Sequence, residues 1–131
     1  MALNILVVDD SAVVRSMIVK TLRLAGIPVA DVHEAGNGQD ALAVLEKHWI
    51  DLVFVDINMP VMDGEEMIRR IRANPVWADL PLVIISTEGS ETRIKSLLDG
   101  NSRFIHKPFP PETVRNVVTE MLGIAHEQTS A

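Results

Sequence analysis

The sequence contains no cysteine. This absence excludes a disulfide framework, a thiolate metal site and a thiol nucleophile, and it favours a reducing, cytoplasmic compartment. Long apolar runs are also missing, since none approaches the roughly 18 residues that a membrane-spanning helix needs. The first residues place no positive charge ahead of an apolar stretch. We therefore expect neither secretion by a signal peptide nor insertion into a membrane.

Positive charge is scarce as well. Twelve Lys and Arg residues stand against eighteen Asp and Glu residues, which gives a formal net charge of -6. An electrostatic field of this sign repels phosphodiester backbones and anionic lipid headgroups. We therefore expect this chain to bind neither nucleic acid nor a membrane directly.

The overall composition of the chain is that of a globular domain. Of the 131 residues, 47% are hydrophobic and 23% are charged, and the length suits one domain. We find no internal repeat, low-complexity stretch or linker. The sequence predicts one domain over residues 1–123 and a frayed tail over residues 124–131.

Short runs rich in Val, Ile and Leu alternate with stretches of helical periodicity. The runs predicted as strands are residues 4–9, 29–34, 52–56, 81–86 and 102–106. Helices are predicted where a capping residue or a first-turn proline precedes apolar residues three or four apart. These helices follow Ser11, Asn37, Asp63 and Ser90 and begin at Pro111. The alternation predicts a doubly wound α/β fold, which is a parallel sheet with helices on both faces.

The predicted second helix, which follows Asn37, has a regular apolar stripe. Apolar side chains recur at the spacing of a helix, at Ala41, Leu42, Leu45 and Trp49. The spacing predicts that the helix continues as far as Trp49.

Polar residues end four of the predicted strands: Asp9 and Asp10, Asp56, Ser86 and Lys107. In doubly wound sheets, ligands bind beyond the carboxyl ends of the strands, so we expect these side chains to converge. Carboxylates about 4 Å apart repel by roughly 4 kcal/mol per pair at an effective dielectric constant near 20. The cluster therefore requires a cation.

Mg²⁺ is the cation that this set of residues suits best, because it prefers carboxylate and carbonyl oxygens and the sequence has no His or Cys grouping for zinc. A carboxylate, a hydroxyl, an ammonium and Mg²⁺ are together the groups that phosphoryl transfer needs. Asp56 is the predicted nucleophile, which would form an acyl phosphate. Ser86 and Lys107 would each contact a phosphoryl oxygen.

Four motifs occur in order at the predicted strand ends. They are LVVDDS at 6–11, VFVDINMPVMDG at 53–64, VIIST at 83–87 and HKPF at 106–109. Together they resemble the receiver domain of bacterial two-component response regulators, and the resemblance covers residues 4–123. It implies a flavodoxin-like sheet with the strand order 2-1-3-4-5. It also implies a switch that a sensor histidine kinase or a phosphotransfer protein phosphorylates.

The resemblance implies a role for each member of the acidic cluster. Asp56 matches the phosphoacceptor, and Asp9 and Asp10 match the acidic pair that holds Mg²⁺ together with Asp56. Asn58 matches the position whose backbone carbonyl completes the metal shell. Lys107 matches the lysine that assists phosphorylation, so the chain would be a phosphoacceptor without turnover of an outside substrate.

The resemblance also implies which residues and surfaces pass the signal to a downstream protein. Ser86 and Phe104 match the hydroxyl and aromatic switch positions, although Phe104 has no hydroxyl with which to form a new hydrogen bond. The downstream protein would bind the face of the fourth helix, fifth strand and fifth helix, around residues 90–122. The domain would act as a monomer or as a phosphorylation-dependent dimer. The kinase would dock beside the first helix, near Val13, Val14 and Met17.

The sequence departs from the family pattern close to the predicted site. Thr87 stands where Ala or Gly is usual, and Arg103 is unusual in the approach to the aromatic switch position. Asn58 and Glu88 match the pair that flanks the site in chemotaxis-type receivers. This pair favours rapid loss of the phosphoryl group, whereas Thr87 would oppose it.

Three other functions compete with this interpretation. One is a Mg²⁺-dependent phosphohydrolase with an aspartyl nucleophile of the haloacid dehalogenase type, but such enzymes place an Asp-x-Asp pair after the first strand, where this sequence has Asp9, Asp10 and Ser11, and we expect no cap domain. Another is a flavin-binding protein of similar fold, although Asp9 and Asp10 would repel a flavin phosphate. The third is a receiver fold that signals without phosphorylation.

Overall fold

The computed structural model describes residues 2–57, 59–86, 95, 101–107 and 109–122. The strands are β1 (Leu3–Val8), β2 (Val29–Ala35), β3 (Leu52–Asp56), β4 (Leu82–Ser86) and β5 (Ser102–His106). The helices are α1 (Ala12–Leu24), α2 (Gly38–Lys47), α3 (Gly64–Ala73) and a C-terminal helix (Pro111–Leu122). Nearly all of the helix predicted after Ser90, and all of the predicted tail, lie outside the described residues. Within the described ranges, no helix is long and apolar enough to cross a bilayer.

The five strands form one sheet in the order β2-β1-β3-β4-β5, and every neighbouring pair is parallel. This confirms the predicted fold and strand order. The chain runs from β1 outward to β2 and then returns to the other side of β1 as β3, so the strand order reverses between β1 and β3. Val8 and Val55 are partners across these two strands. The residues that follow them are therefore neighbours at the carboxyl edge of the sheet.

Helices cover both faces of the sheet. One buried cluster lies between the sheet and α1 with the C-terminal helix, and the other lies between the sheet and α2 with α3. Successive residues of β3 point to opposite faces, so Phe54 joins the first cluster while Val53 and Val55 join the second. Burial of each such side chain stabilises the fold by roughly 1.5–3 kcal/mol.

Three of the predicted helix starts are confirmed by their capping geometry. The side chains of Ser11, Asn37 and Asp63 each accept a hydrogen bond from the backbone N–H three residues on, at 3.3, 2.8 and 2.9 Å respectively. Each bond satisfies a backbone donor that has no partner within the helix. Gly26 follows α1 with a φ of 76°, a left-handed conformation that glycine adopts without steric cost.

The prediction that the helical spacing continues to Trp49 is wrong. Ala41, Leu42 and Leu45 contact the core, but α2 ends at Lys47 and the side chain of Trp49 is 76% exposed. The residue after the helix has an extended backbone, with φ -133° and ψ 146°. Helical spacing therefore no longer sets the direction of the Trp49 side chain.

Candidate functional site

Three carboxylates converge where the strand order reverses. Oxygen atoms of Asp9, Asp10 and Asp56 all lie within 4.8 Å of one another. Asp9 and Asp10 follow β1, and Asp56 is the last residue of β3. Asp9 and Asp56 are buried, whereas Asp10 is exposed. The structure thus brings together the three acidic residues that the sequence singled out.

Asp9 is held by several contacts, and only 2% of it is exposed. Its backbone N–H donates to the carbonyl oxygen of Ala35, at 3.1 Å. Its Oδ1 accepts a hydrogen bond from the backbone N–H of Ser11 at 2.9 Å, and its Oδ2 lies 3.3 Å from Nζ of Lys107. Contacts with β2, with the start of α1 and with Lys107 therefore fix this carboxylate.

Lys107 supplies positive charge to the cluster from the end of β5. Its Nζ lies 3.3 Å from Oδ2 of Asp9 and 3.8 Å from Oδ2 of Asp56. The shorter contact is with Asp9, the more deeply buried partner, where the ammonium offsets the cost of removing a carboxylate from water. Counting only the described residues, one ammonium beside three carboxylates leaves a net charge of two negative units.

The cluster fits a hard divalent cation. Among the described residues it consists of carboxylates alone, and oxygen is the ligand atom that Mg²⁺ prefers. The net charge of the three carboxylates and Lys107 is opposite in sign and equal in size to the charge of such an ion. Asn58, which the resemblance adds through its backbone carbonyl, lies outside the described residues.

Arg15 was not predicted from the sequence as a site residue. Its Nη1 donates to the backbone carbonyl oxygen of Asp9 at 2.6 Å, and its Nε donates to Oε1 of Glu34 at 2.8 Å. Arg15 thereby ties the end of β1 to α1 and to β2. The signal was available in the sequence, because a residue one turn after the Ser11 cap faces the same strand end as the cap itself.

Gly64, the first residue of α3, was not predicted from the sequence as a site residue, but it also touches the site. Its backbone N–H donates to the carbonyl oxygen of Ile57 at 2.9 Å. A Cβ atom built at this position would lie 2.3 Å from the backbone oxygen of Asp56. The first turn of α3 therefore packs directly on the end of β3 that carries Asp56.

The structure describes only some of the other predicted site residues. Ser86 is the last residue of β4 and pairs with His106 across the sheet. Phe104 is half-buried in β5, and its ring meets the His106 ring edge-on with 4.8 Å between the centroids. Thr87 and Glu88 lie outside the described residues.

Comparison with known proteins identifies the family. The family model described as the response regulator receiver domain matches residues 5–119. A chemotaxis protein CheY homologue from Campylobacter jejuni is 34% identical over 131 residues, covering 98% of this chain and 99% of the relative. Chemotaxis protein CheY1 from Helicobacter pylori is 34% identical over 123 residues, covering 92% of this chain and 98% of that protein.

A solved structure supports the same family assignment. The chemotaxis response regulator CheY4 of Vibrio cholerae superposes with a TM-score of 0.78 at 32% identity, covering 93% of this chain and 100% of that chain. The family match and the similarity to CheY proteins confirm the resemblance that the four motifs indicated. The chain therefore belongs to the response regulator receiver domain family and is a CheY-like phosphoacceptor of two-component signalling rather than an enzyme.

Proposed function

We propose that this chain is a phosphorylation switch in which Asp56 accepts a phosphoryl group from a sensor histidine kinase or a phosphotransfer protein. The observation that carries the proposal is the convergence of Asp9, Asp10 and Asp56 within 4.8 Å beside Lys107. Similarity to chemotaxis proteins at 34% identity supports a chemotaxis-type pathway. The receiver domain would span residues 1–123 and act in the cytoplasm.

The transfer step needs a nucleophile and a means of balancing charge. A carboxylate oxygen of Asp56 attacks the phosphorus of the donor's phosphohistidine, the P–N bond breaks, and its electron pair stays on the imidazole nitrogen. The product is an acyl phosphate on Asp56. Lys107 lies 3.8 Å from the Asp56 carboxylate, so its ammonium is positioned to pair with an oxygen of the transferred group.

We propose Asp9, Asp10, Asp56 and the backbone carbonyl of Asn58 as the groups that would hold Mg²⁺. When bound, the ion would neutralise charge on the phosphoryl oxygens and on the carboxylates. Asp9 is held by Ser11 and Lys107, so it needs little reordering to serve as a ligand. Asp10 is exposed, which leaves the cluster open to solvent and to a donor.

The output surface would be the face of the predicted fourth helix, β5 and the C-terminal helix, around residues 90–122. Phe104 is half-buried on β5, so a change in its burial would alter this face. Arg103 of β5 pairs with Glu120 of the C-terminal helix at 2.7 Å, which links the two described elements. Altered hydrogen exchange in residues 101–122 on phosphorylation would support this surface, and exchange that stays unchanged would count against it.

Intact-mass spectrometry after incubation with acetyl phosphate tests the proposed chemistry. We expect one phosphoryl adduct that forms only with Mg²⁺ and that hydroxylamine removes, as an acyl phosphate requires. An absent adduct would favour a receiver fold that signals without phosphorylation. Sustained release of inorganic phosphate from a small phosphate ester would instead favour the phosphohydrolase.

Replacing Lys107 with Ala is expected to change two properties in opposite directions. Phosphorylation by acetyl phosphate should slow, because the ammonium that faces the phosphoryl oxygens is lost. Mg²⁺ should bind more tightly, with a dissociation constant roughly 3- to 10-fold lower, because three carboxylates remain without their nearby cation. Calorimetric Mg²⁺ titration of this variant and of Lys20→Ala, which removes an exposed lysine of α1, measures the effect. Equal affinities in both variants would show that Lys107 does not set the charge of the cluster.

The kinase-docking prediction can be narrowed to Val13 and Met17. Their side chains are 69% and 61% exposed, lie one turn apart on α1 and border a shallow pocket of about 370 Å³. Val14, the third residue of the predicted patch, is half-buried and packs against the core.

Replacing both Val13 and Met17 with Ala is expected to slow phosphotransfer from the cognate kinase by about tenfold or more, because exposed apolar anchors often dominate an interface. The rate with acetyl phosphate should not change. Leu24→Ala removes a similarly exposed side chain at the other end of α1 and serves as the control. Unaltered transfer from the kinase to the double variant would exclude this patch.

A further inference from the structure

A surface feature outside the acidic cluster lies at the opposite edge of the sheet. It is a groove of about 560 Å³ between the segment Leu45–Asp51 and the segment Pro75–Pro81. Asp51 directly precedes β3 and Asp56 ends it, so the groove and the acidic cluster are roughly 16 Å apart along the strand. The volume falls within the roughly 300–1,000 Å³ range of ligand-binding clefts. The chemistry of phosphorylation makes no use of this groove.

The first wall presents an exposed tryptophan that is held in place. Trp49 is 76% exposed, yet its Nε1 donates to Oδ1 of Asp51 at 2.9 Å. Oδ2 of Asp51 accepts a hydrogen bond from the backbone N–H of Asn4 at 2.8 Å, which anchors this carboxylate to β1. The neighbouring His48 ring stacks on His33 of β2, with 4.3 Å between the centroids. The indole ring is therefore oriented before any partner arrives.

The second wall is braced independently. Val76 is 78% exposed, and its backbone N–H donates to Oδ1 of Asn74 at 2.9 Å. Arg72 reaches from α3 under this segment, where its Nη1 donates to the carbonyl oxygens of Ala78 at 3.2 Å and Leu80 at 2.7 Å. Hydrogen bonds thus fix the segments on both sides of the groove. Each segment exposes one apolar side chain to solvent, Trp49 on the first wall and Val76 on the second. Ordering of this kind lowers the entropy lost when a partner binds.

The charged side chains that line the groove favour a cationic partner. Glu46 and Asp79 are exposed and line the groove, and within the described part of the chain neither forms an ion pair. Asp51 adds a third carboxylate, and Lys47 is the one lysine on the lining. The whole chain carries a net charge of -6. A second copy of this chain would meet like charges here, whereas a cationic segment would meet opposite ones.

We propose that this groove docks a basic segment of a partner protein, with an apolar anchor between Trp49 and Val76 and flanking Arg or Lys residues against Glu46 and Asp79. Trp is among the residues that contribute most to binding at protein interfaces. The site lies on the far edge of the sheet from Asp56, so it would hold its partner through a surface separate from the proposed output face. A receiver built in this way stays tethered to one protein while phosphorylation changes its contact with another.

Both tryptophans of the chain, Trp49 and Trp77, line the groove, so intrinsic fluorescence reports its occupancy. The probes are two amidated peptide libraries that share randomised Leu, Phe and Pro positions. Arg flanks these positions in one library, and Glu flanks them in the other. With the full chain, we expect the Arg library to shift the tryptophan emission and the amide resonances of residues 45–51 and 75–81. The Glu library should cause neither change.

Variants test the contributions of the tryptophan and of the carboxylates to binding separately. Trp49→Ala and the double variant Glu46→Lys, Asp79→Lys should each weaken binding of the Arg library by about tenfold or more. Leu24→Ala, an exposed apolar residue of α1 on the other face of the sheet, should leave binding unchanged. Equal binding of both libraries, no binding of either, or full binding by Trp49→Ala would overturn the proposal. Sedimentation that shows dimers dependent on Trp49 would assign the groove to a second copy instead.

Discussion

Replacing Asp56 with Asn is expected to abolish the phosphoryl adduct that acetyl phosphate and Mg²⁺ form on the wild-type chain. The amide has no anionic oxygen with which to attack phosphorus, so the rate should fall by a factor on the order of 100 or more. The same substitution removes one of three carboxylates whose oxygens lie within 4.8 Å. We therefore also expect the free energy of unfolding without Mg²⁺ to rise by about 1–2 kcal/mol, as repulsion in the cluster is relieved.

These two effects are measured by intact-mass spectrometry and by urea denaturation with and without Mg²⁺. In the variant, added Mg²⁺ should stabilise the fold less than in the wild type, because one anionic ligand is gone. Asp31→Asn is the matched control, since it makes the same chemical change at an exposed position of β2. An adduct that persists in Asp56→Asn would place the nucleophile elsewhere, and peptide mapping would then locate it.

Local signals in the sequence predicted the fold closely. Apolar runs defined β3 and β5 to the residue, and no bound of β1, β2 or β4 differs from its predicted position by more than one residue. Caps at Ser11, Asn37 and Asp63 located three helix starts, because capping is a contact between residues three apart. The strand order required more than local reasoning, and it came from the family resemblance and was then confirmed.

The acidic cluster was also predictable, because parallel strands bring their carboxyl ends to one edge. That topology, together with the strand order that the resemblance implied, placed Asp9 and Asp10 beside Asp56. The direction of side chains across loops was not predictable in the same way. Lys107 lies nearer to Asp9 than to Asp56, and Trp49 turns outward where α2 ends. Both outcomes depend on how the backbone leaves a strand or helix, which residue spacing does not encode.

Gly64→Ala is expected to be among the most damaging single substitutions in this chain. The added Cβ would lie 2.3 Å from the backbone oxygen of Asp56 and 2.8 Å from Cα of Ile57. Both contacts are with backbone, which cannot rotate away as a flexible side chain would. We expect the free energy of unfolding to fall by roughly 3 kcal/mol or more, measured by urea denaturation.

Gly36→Ala provides a control with the same chemical change. This glycine also lies at the carboxyl edge, just after β2, but its added Cβ would meet only Nη1 of Arg15, at 3.8 Å. That distance is an ordinary van der Waals contact. Stability should therefore stay the same or rise by about 0.4–1 kcal/mol, since alanine restricts the unfolded chain. An equal loss of stability in both variants would show that the close approach of α3 to β3 is not the cause.

The Gly64 variant also tests how firmly the site holds Asp56. The end of β3 pairs with β4 through Asp56 and Ile85, while the N–H of Gly64 bonds to Ile57. If the strand holds its position, α3 must move, and the loss appears mainly in stability. If the strand yields instead, Asp56 moves away from Lys107 and phosphorylation by acetyl phosphate slows even where the chain remains folded. Because β3 is paired on both sides and buried throughout, we expect the loss of stability to dominate.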